Sequence, residues 1–208
     1  MAVSLPQGFR AHVTNVGIKD STDDFTLVVA DTVCSAAGMF TQSRFAGPSV
    51  VVSREHIANH KAKAVVVISK NANVATGEAG MSNAREVVAG VSSALGCDSH
   101  DVLIASTGVI GRQYPMDKVR AGLAALPAQP VSISADDVAR GIMTTDTVSK
   151  VAECVVAGSS ARVVGVAKGV GMIEPNMATL ITLMFTDADV APSELNSVFQ
   201  HVIAKTFN

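Results

Sequence analysis

Residues 168–187 read KGVGMIEPNMATLITLMFTD, and this stretch carries the expectations for the fold. Gly169, Gly171 and Glu174-Pro175-Asn176 form a turn-rich run that marks irregular backbone. The apolar run Leu180 to Phe185 follows, is closed by Asp187, and fits a buried strand. Between them stand Ala178 and Thr179, a small residue and a hydroxyl where a tight loop enters a core strand. A buried strand holds its first residue rigidly, and catalysis needs that rigidity. Thr is equally a common β-former at strand edges, so this stretch leaves a structural and a catalytic reading of Thr179 open.

The chain on either side supplies the partners such a strand needs. Val151–Ala157 and Ala161–Val166, joined by Gly158-Ser159-Ser160, predict a hairpin leading straight into Lys168. Beyond the stretch, residues 191–207 form an amphipathic helix with Pro192 in its first turn and Leu195, Val198, Phe199, Val202 and Ile203 on one face. Short strands are predicted over residues 8–18, 25–30, 35–41 and 44–53, with a turn at Lys19–Asp24. KAVVVISKNANVATG (63–77) reads as a buried strand running into a polar loop with Asn71 and Asn73. Ser82 caps a helix to Leu95 with an apolar stripe of Ala84, Val87, Val88 and Val91, and Gly96 ends it. VLIASTGVIG (102–111) is a strand that breaks into Ser106-Thr107-Gly108. Pro115 opens a helix to about Leu126. Ser134 starts another, through Met143, that ends in Thr144-Thr145-Asp146-Thr147. Alternating and continuous apolar patterns together predict an α+β (α/β) sandwich, layered sheets covered by helices, in a single domain over residues 1–208.

Composition narrows the function classes. Nearly half the residues are hydrophobic and 16% are charged, enough for a substantial core built on Ala and Val, since Trp is absent. A net charge of -2, with no basic stripe and no aromatic stacking set, argues against nucleic acid as a partner. No apolar run reaches membrane-helix length and the N-terminus lacks a signal pattern, which predicts a cytoplasmic protein with no membrane partner. Cys34, Cys97 and Cys154 are widely spaced and odd in number, so neither a zinc site nor a disulfide framework is expected. His56 and His60 have metal-ligand spacing on a helix, but Lys61 and Lys63 beside them oppose a cation, and no metal is assigned.

The hydroxyl residues allow acyl chemistry, with an ordinary strand-to-loop turn at 106–108 and capping and turn hydrogen bonds at 144–147 open beside it. A strand ending in Ser-Thr-Gly presents a side-chain hydroxyl and an unhindered backbone N–H side by side, as an oxyanion hole requires. A Thr hydroxyl is a poor nucleophile without a base. If Thr179 becomes an N-terminus, its own α-amine, which titrates at roughly 7.7–8.0 in model compounds, serves as that base.

Four segments in fixed order, IASTGVIGRQYPM (104–116), GIMTTDT (141–147), AKGVGMIEPNMATL (167–180) and KTFN (205–208), closely resemble the ornithine acetyltransferase family, the bifunctional glutamate N-acetyltransferases. The resemblance runs from about Gly8 to the last residue. It implies self-cleavage between Ala178 and Thr179, with residues 1–178 as the first (α) subunit and 179–208 as the opening of a second (β) subunit. It implies Thr179 as nucleophile, Thr107 (side chain) and Gly108 (backbone N–H) as oxyanion hole, and Thr144, Thr145, Lys168 and Thr179 as substrate-binding residues. The implied reaction moves an acetyl group from N-acetylornithine to glutamate through an acetyl-Thr ester, with no cofactor, acetyl-CoA being an alternative donor. The implied assembly is a heterotetramer of two α and two β chains. Some such enzymes serve arginine biosynthesis and others clavulanic-acid-type pathways, and RQYPM is closest to the latter. Lys70 departs from the S-G-N-A-N form that the family more commonly shows before its Asn pair. Two other readings stay open at this point: an N-terminal-nucleophile amidase or aminopeptidase, and a non-catalytic fragment.

Overall fold

Alternation along residues 25–35 decides how the layers stack. In β2 (Phe25–Ser35), Phe25, Leu27 and Val29 point to one hydrophobic cluster while Val28 points to another. Strand geometry requires this, because successive side chains leave opposite faces. β3 (Lys61–Asn71) repeats the pattern, with Ala64, Val66 and Ile68 on the first face and Val67 on the second. The structure, a computed structural model, describes residues 2–171 and 180–207.

β1 (Phe9–Thr14), β2, β3 and β4 (Val102–Val109) form a four-stranded sheet in the order β1-β2-β3-β4. The first three are antiparallel neighbours, and β3 and β4 run parallel. The crossover between the parallel pair contains α2 (Gly77–Leu95). Together with α1 (Pro48–His56) and α3 (Met116–Ala124) it covers the first face through Val52, Ala84, Val87, Val88, Val91, Val119 and Leu123. On the second face Val28 and Val67 meet α4 (Ala135–Gly141) and a second sheet, through Ala135, Val138, Ala139, Val164, Val166 and Phe185. That sheet is antiparallel, β5 (Lys150–Val155), β6 (Arg162–Lys168) and β7 (Ile181–Thr186), in the order β5-β6-β7. Helices, sheet, then α4 with the second sheet: this is the layered α+β sandwich expected from the sequence.

Several local expectations change. Residues 44–53 do not form a strand: Pro48 opens α1, with Gly47 extended before it. Three successive valines suggested β structure, but Pro at the first helical turn loses no hydrogen bond, and Ser49, Ser53 and His56 place a polar face against β4. That face satisfies the outer edge of the sheet. Ser53 Oγ accepts from Ile104 N at 2.7 Å and donates to Ile104 O at 2.6 Å, and His56 Nδ1 lies 2.9 Å from Val102 O. An exposed strand edge is thus blunted by side chains, and His56 is a sheet partner. Among the described residues no group of three or more side chains is placed to hold a metal ion.

Residues 36–43 carry no strand and instead wall the cleft described below. α2 begins five residues before Ser82, so Ser82 is not its cap, while Gly96 does end it in the left-handed region (φ 62°). β4 runs through Ser106-Thr107-Gly108 without breaking. β7 was expected as a buried central strand. It starts at Ile181, borders β6 on one side, and buries only Phe185 fully. The apolar stripe of α5 (Pro192–Thr206) is partly covered: Ile203 is buried, whereas Val198 and Val202 are exposed.

Candidate active site

β4 delivers Thr107 and Gly108 to the end of the first sheet, and β6 delivers Lys168 to the end of the second. The loop after α4 brings Thr144, Thr145 and Asp146 between them. All six residues line one cleft of about 1580 Å³, whose other walls include residues 37–41, Lys70, Leu180 and Phe199. These positions span more than sixty residues of chain, so the sandwich itself creates the site.

Lys168 is the hub. It is 4% exposed, and its Nζ donates to Thr144 Oγ1 at 2.6 Å and to Thr107 Oγ1 at 3.1 Å. An ammonium has donors only, so both hydroxyls accept from it, and the Thr107 hydroxyl proton stays free to be donated. Burial pushes the Lys168 ammonium below its ordinary value. Asp146 opposes that fall and Lys150 adds to it.

Asp146 was not among the residues singled out from sequence. Its buried carboxylate accepts from Lys150 Nζ at 2.6 Å and Gly169 N at 2.8 Å through Oδ1, and from Thr144 N at 3.3 Å through Oδ2. Oδ2 lies 3.9 Å from Lys168 Nζ, an ion-pair distance beyond hydrogen bonding. Burial would raise this carboxyl, but the hydrogen bonds from Lys150, Gly169 and Thr144 outweigh it and hold it down to about 2. Asp146 therefore ties the Thr144–Thr147 loop to the end of β6, just where the chain leaves for residue 172. In sequence it is one acidic residue in a hydroxyl-rich turn, a pattern that capping alone explains.

Gly108 is required by space. Its φ is +132°, and a Cβ there would lie 2.1 Å from Lys70 C and 2.2 Å from Lys70 O. The Lys70 backbone passes where a side chain at 108 would stand, so only glycine fits. Upstream, Ser106 Oγ hydrogen-bonds Tyr114 OH and lies 2.7 Å from Ser49 Oγ, fixing β4 one residue before Thr107. The Asn pair braces its own loop: Asn71 Oδ1 accepts from Asn73 N at 2.8 Å, and Asn73 Nδ2 donates to Gly80 O at 2.9 Å.

Thr145 is exposed at the cleft, without the contact to Lys168 that Thr144 makes. Ala178, Thr179 and the Glu174-Pro175-Asn176 turn lie outside the described residues. Leu180, the covalent neighbour of Thr179, lines the cleft.

The model of the ArgJ family matches residues 10–208. The chain is 50% identical over 207 residues to the arginine biosynthesis bifunctional protein ArgJ 2 of Nostoc sp., covering all of this chain and 53% of that protein. It is 50% identical over 204 residues to the glutamate N-acetyltransferase Oat2 of Streptomyces clavuligerus, covering 98% of this chain and 51% of the relative. It thus spans about half the length of these curated relatives. Among solved structures, ornithine acetyltransferase of Mycobacterium tuberculosis, crystallised with ornithine, superposes with a TM-score of 0.77 at 33% identity, over 86% of this chain and 96% of that one. The bifunctional ArgJ protein of Bacillus halodurans gives the same TM-score at 34% identity, over 85% and 95%.

Proposed function

The chain belongs to the ArgJ family, and from that premise we propose that it carries the acyl-transfer site of an enzyme moving acetyl from N-acetylornithine to glutamate. The observation that carries this reading is the Lys168 hub: one buried ammonium orients the Thr107 hydroxyl beside the Gly108 backbone at the floor of a cleft.

In this mechanism Thr179 Oγ first attacks the Ala178 carbonyl. The N-to-O shift makes an ester, and water opens it to leave an Ala178 carboxylate and a free Thr179 α-amine. That amine then takes the Oγ proton as Oγ attacks the acetyl carbonyl of N-acetylornithine. The Thr107 hydroxyl and Gly108 N–H donate to the developing oxyanion, and the departing ornithine amine takes up the proton. The α-amine of glutamate attacks the acetyl-Thr ester and restores the hydroxyl. Lys168 polarises Thr107 with two of its hydrogens occupied, and the third remains for the α-carboxylate that both amino acids share. Thr144 and Thr145 border that pocket. The solved ornithine complex of the Mycobacterium tuberculosis relative supports an amino-acid ligand of this size.

The same reading makes residues 1–178 one subunit and 179–208 the opening of the next, in a cytoplasmic heterotetramer of two α and two β chains. It requires no cofactor, with acetyl-CoA as an alternative acetyl donor. The test is Thr179→Ala in the full-length protein, read by intact mass and by acetyl transfer. One uncut chain without transfer is the expected result. An uncut but fully active protein would overturn the N-terminal-Thr mechanism.

A further inference from the structure

Four described cationic side chains line the cleft: Lys19, Lys70, Arg140 and Lys168. Lys168 gives two hydrogens to Thr107 and Thr144, and Lys19 gives two to the carbonyls of Asp23 and Met143. Arg140 pairs with Asp137 on its own helix. Among the described residues Lys70 has a single charged partner, Asp20, at 3.4 Å, and the Asp20 side chain is fully exposed. An exposed pair of this kind is weak, so a ligand carboxylate can replace Asp20.

The backbone at Lys70 adds an independent observation. Its φ is +75°, in the left-handed region that every L side chain occupies at a conformational cost. It sits at an irregularity in the β3–β4 register, opposite Gly108. Asn73 and Ala75 share positive φ in the same short segment, which is held by Ala72 N to Val109 O at 3.0 Å and Gly111 N to Val74 O at 2.8 Å. Glycine would fill position 70 without strain. A lysine there keeps a charged side chain on the cleft wall, its backbone against Gly108, in spite of that cost, as strained positions at functional sites do.

We propose that Lys70 is a specificity-determining residue that binds the side-chain carboxylate of a dicarboxylic amino-acid acceptor, displacing Asp20. This rests on the acyl-transfer reading, in which the acceptor carries a second carboxylate and the donor carries a cationic side chain at the same place. Lys70 therefore favours the acceptor.

The test is calorimetric binding of glutamate, glutamine and ornithine to the full-length protein, which needs no turnover. Lys70→Met should weaken glutamate about 3- to 5-fold, the upper size of one partly exposed charge pair, and leave glutamine unchanged. Asp20→Asn should tighten glutamate, because it removes the group that competes for Lys70. Lys70→Gly should reproduce the glutamate loss while raising the melting temperature by about 2–4 °C as strain is released, so misfolding cannot mimic the effect. Equal loss of glutamate and glutamine, or no loss of either, overturns the assignment. Wild-type protein that binds glutamate and glutamine equally overturns this subsite alone. Wild-type protein that binds none of the three amino acids overturns the acyl-transfer reading and the subsite together.

Discussion

Lys168 donates to Thr107 across the seam between the two sheets, Nζ to Oγ1 at 3.1 Å. One bond thereby couples the end of β6 to the end of β4. Lys168→Met removes the polarising charge while keeping most of the packing. In the full-length enzyme it should lower kcat about 100-fold, the scale of a lost oxyanion donor, with a smaller change in KM. Steady-state kinetics at saturating and limiting N-acetylornithine separate the two. A rise in KM alone would make Lys168 a binding group only.

Asp146→Asn should remove stability in a pH-dependent way. The folded carboxyl is held down to about 2 against an ordinary 3.8. A lowered acid contributes fully above its unfolded value, and the contribution is lost as pH falls through the folded one. The gap between wild type and variant should therefore be about 2 kcal/mol from neutral pH down to about 4, closing towards pH 2. Urea unfolding across that range checks it.

The same variant should move the alkaline limb of acetyl transfer. Asp146 raises the Lys168 ammonium against burial. Without that charge Lys168 loses its proton at lower pH, so activity should fall away earlier on the basic side. A pH–rate profile with an unmoved alkaline limb would separate Lys168 ionisation from catalysis.

Gly108→Ala should unfold at lower urea. The new methyl meets backbone atoms of Lys70, which cannot swing aside, at a φ of +132°. A loss of about 2–4 kcal/mol is expected.

Ser53→Ala should cost about 1–3 kcal/mol, because it leaves both Ile104 N and Ile104 O unpaired at the sheet edge. Hydrogen exchange at Ile104 N should accelerate with it.

Much of this protein was legible in the chain. Alternation along residues 25–30 and the hairpin over 151–166 specify strands because side chains leave a strand on alternating faces. Gly96 and Ser134 mark helix ends through local backbone chemistry. Thr107, Gly108, Thr144, Thr145 and Lys168 were named through the family resemblance of their segments, and the fold brings all five to one cleft. Three valines at 50–52 misled, because Pro48 opens helices as readily as it ends strands, and only the edge of β4 makes Ser49, Ser53 and His56 useful on a helix face. Asp146 emerged from the tertiary structure alone, and Lys70, which the sequence marked only as a departure from the family's usual form, gained its surroundings there. The Asp146 carboxylate is fixed to the end of β6 through Gly169, 23 residues on, and Lys70 takes its backbone geometry from an irregularity opposite Gly108, contacts that local sequence does not announce. Local propensity is written residue by residue, whereas a site is written in distances, and those exist only once the two sheets have packed.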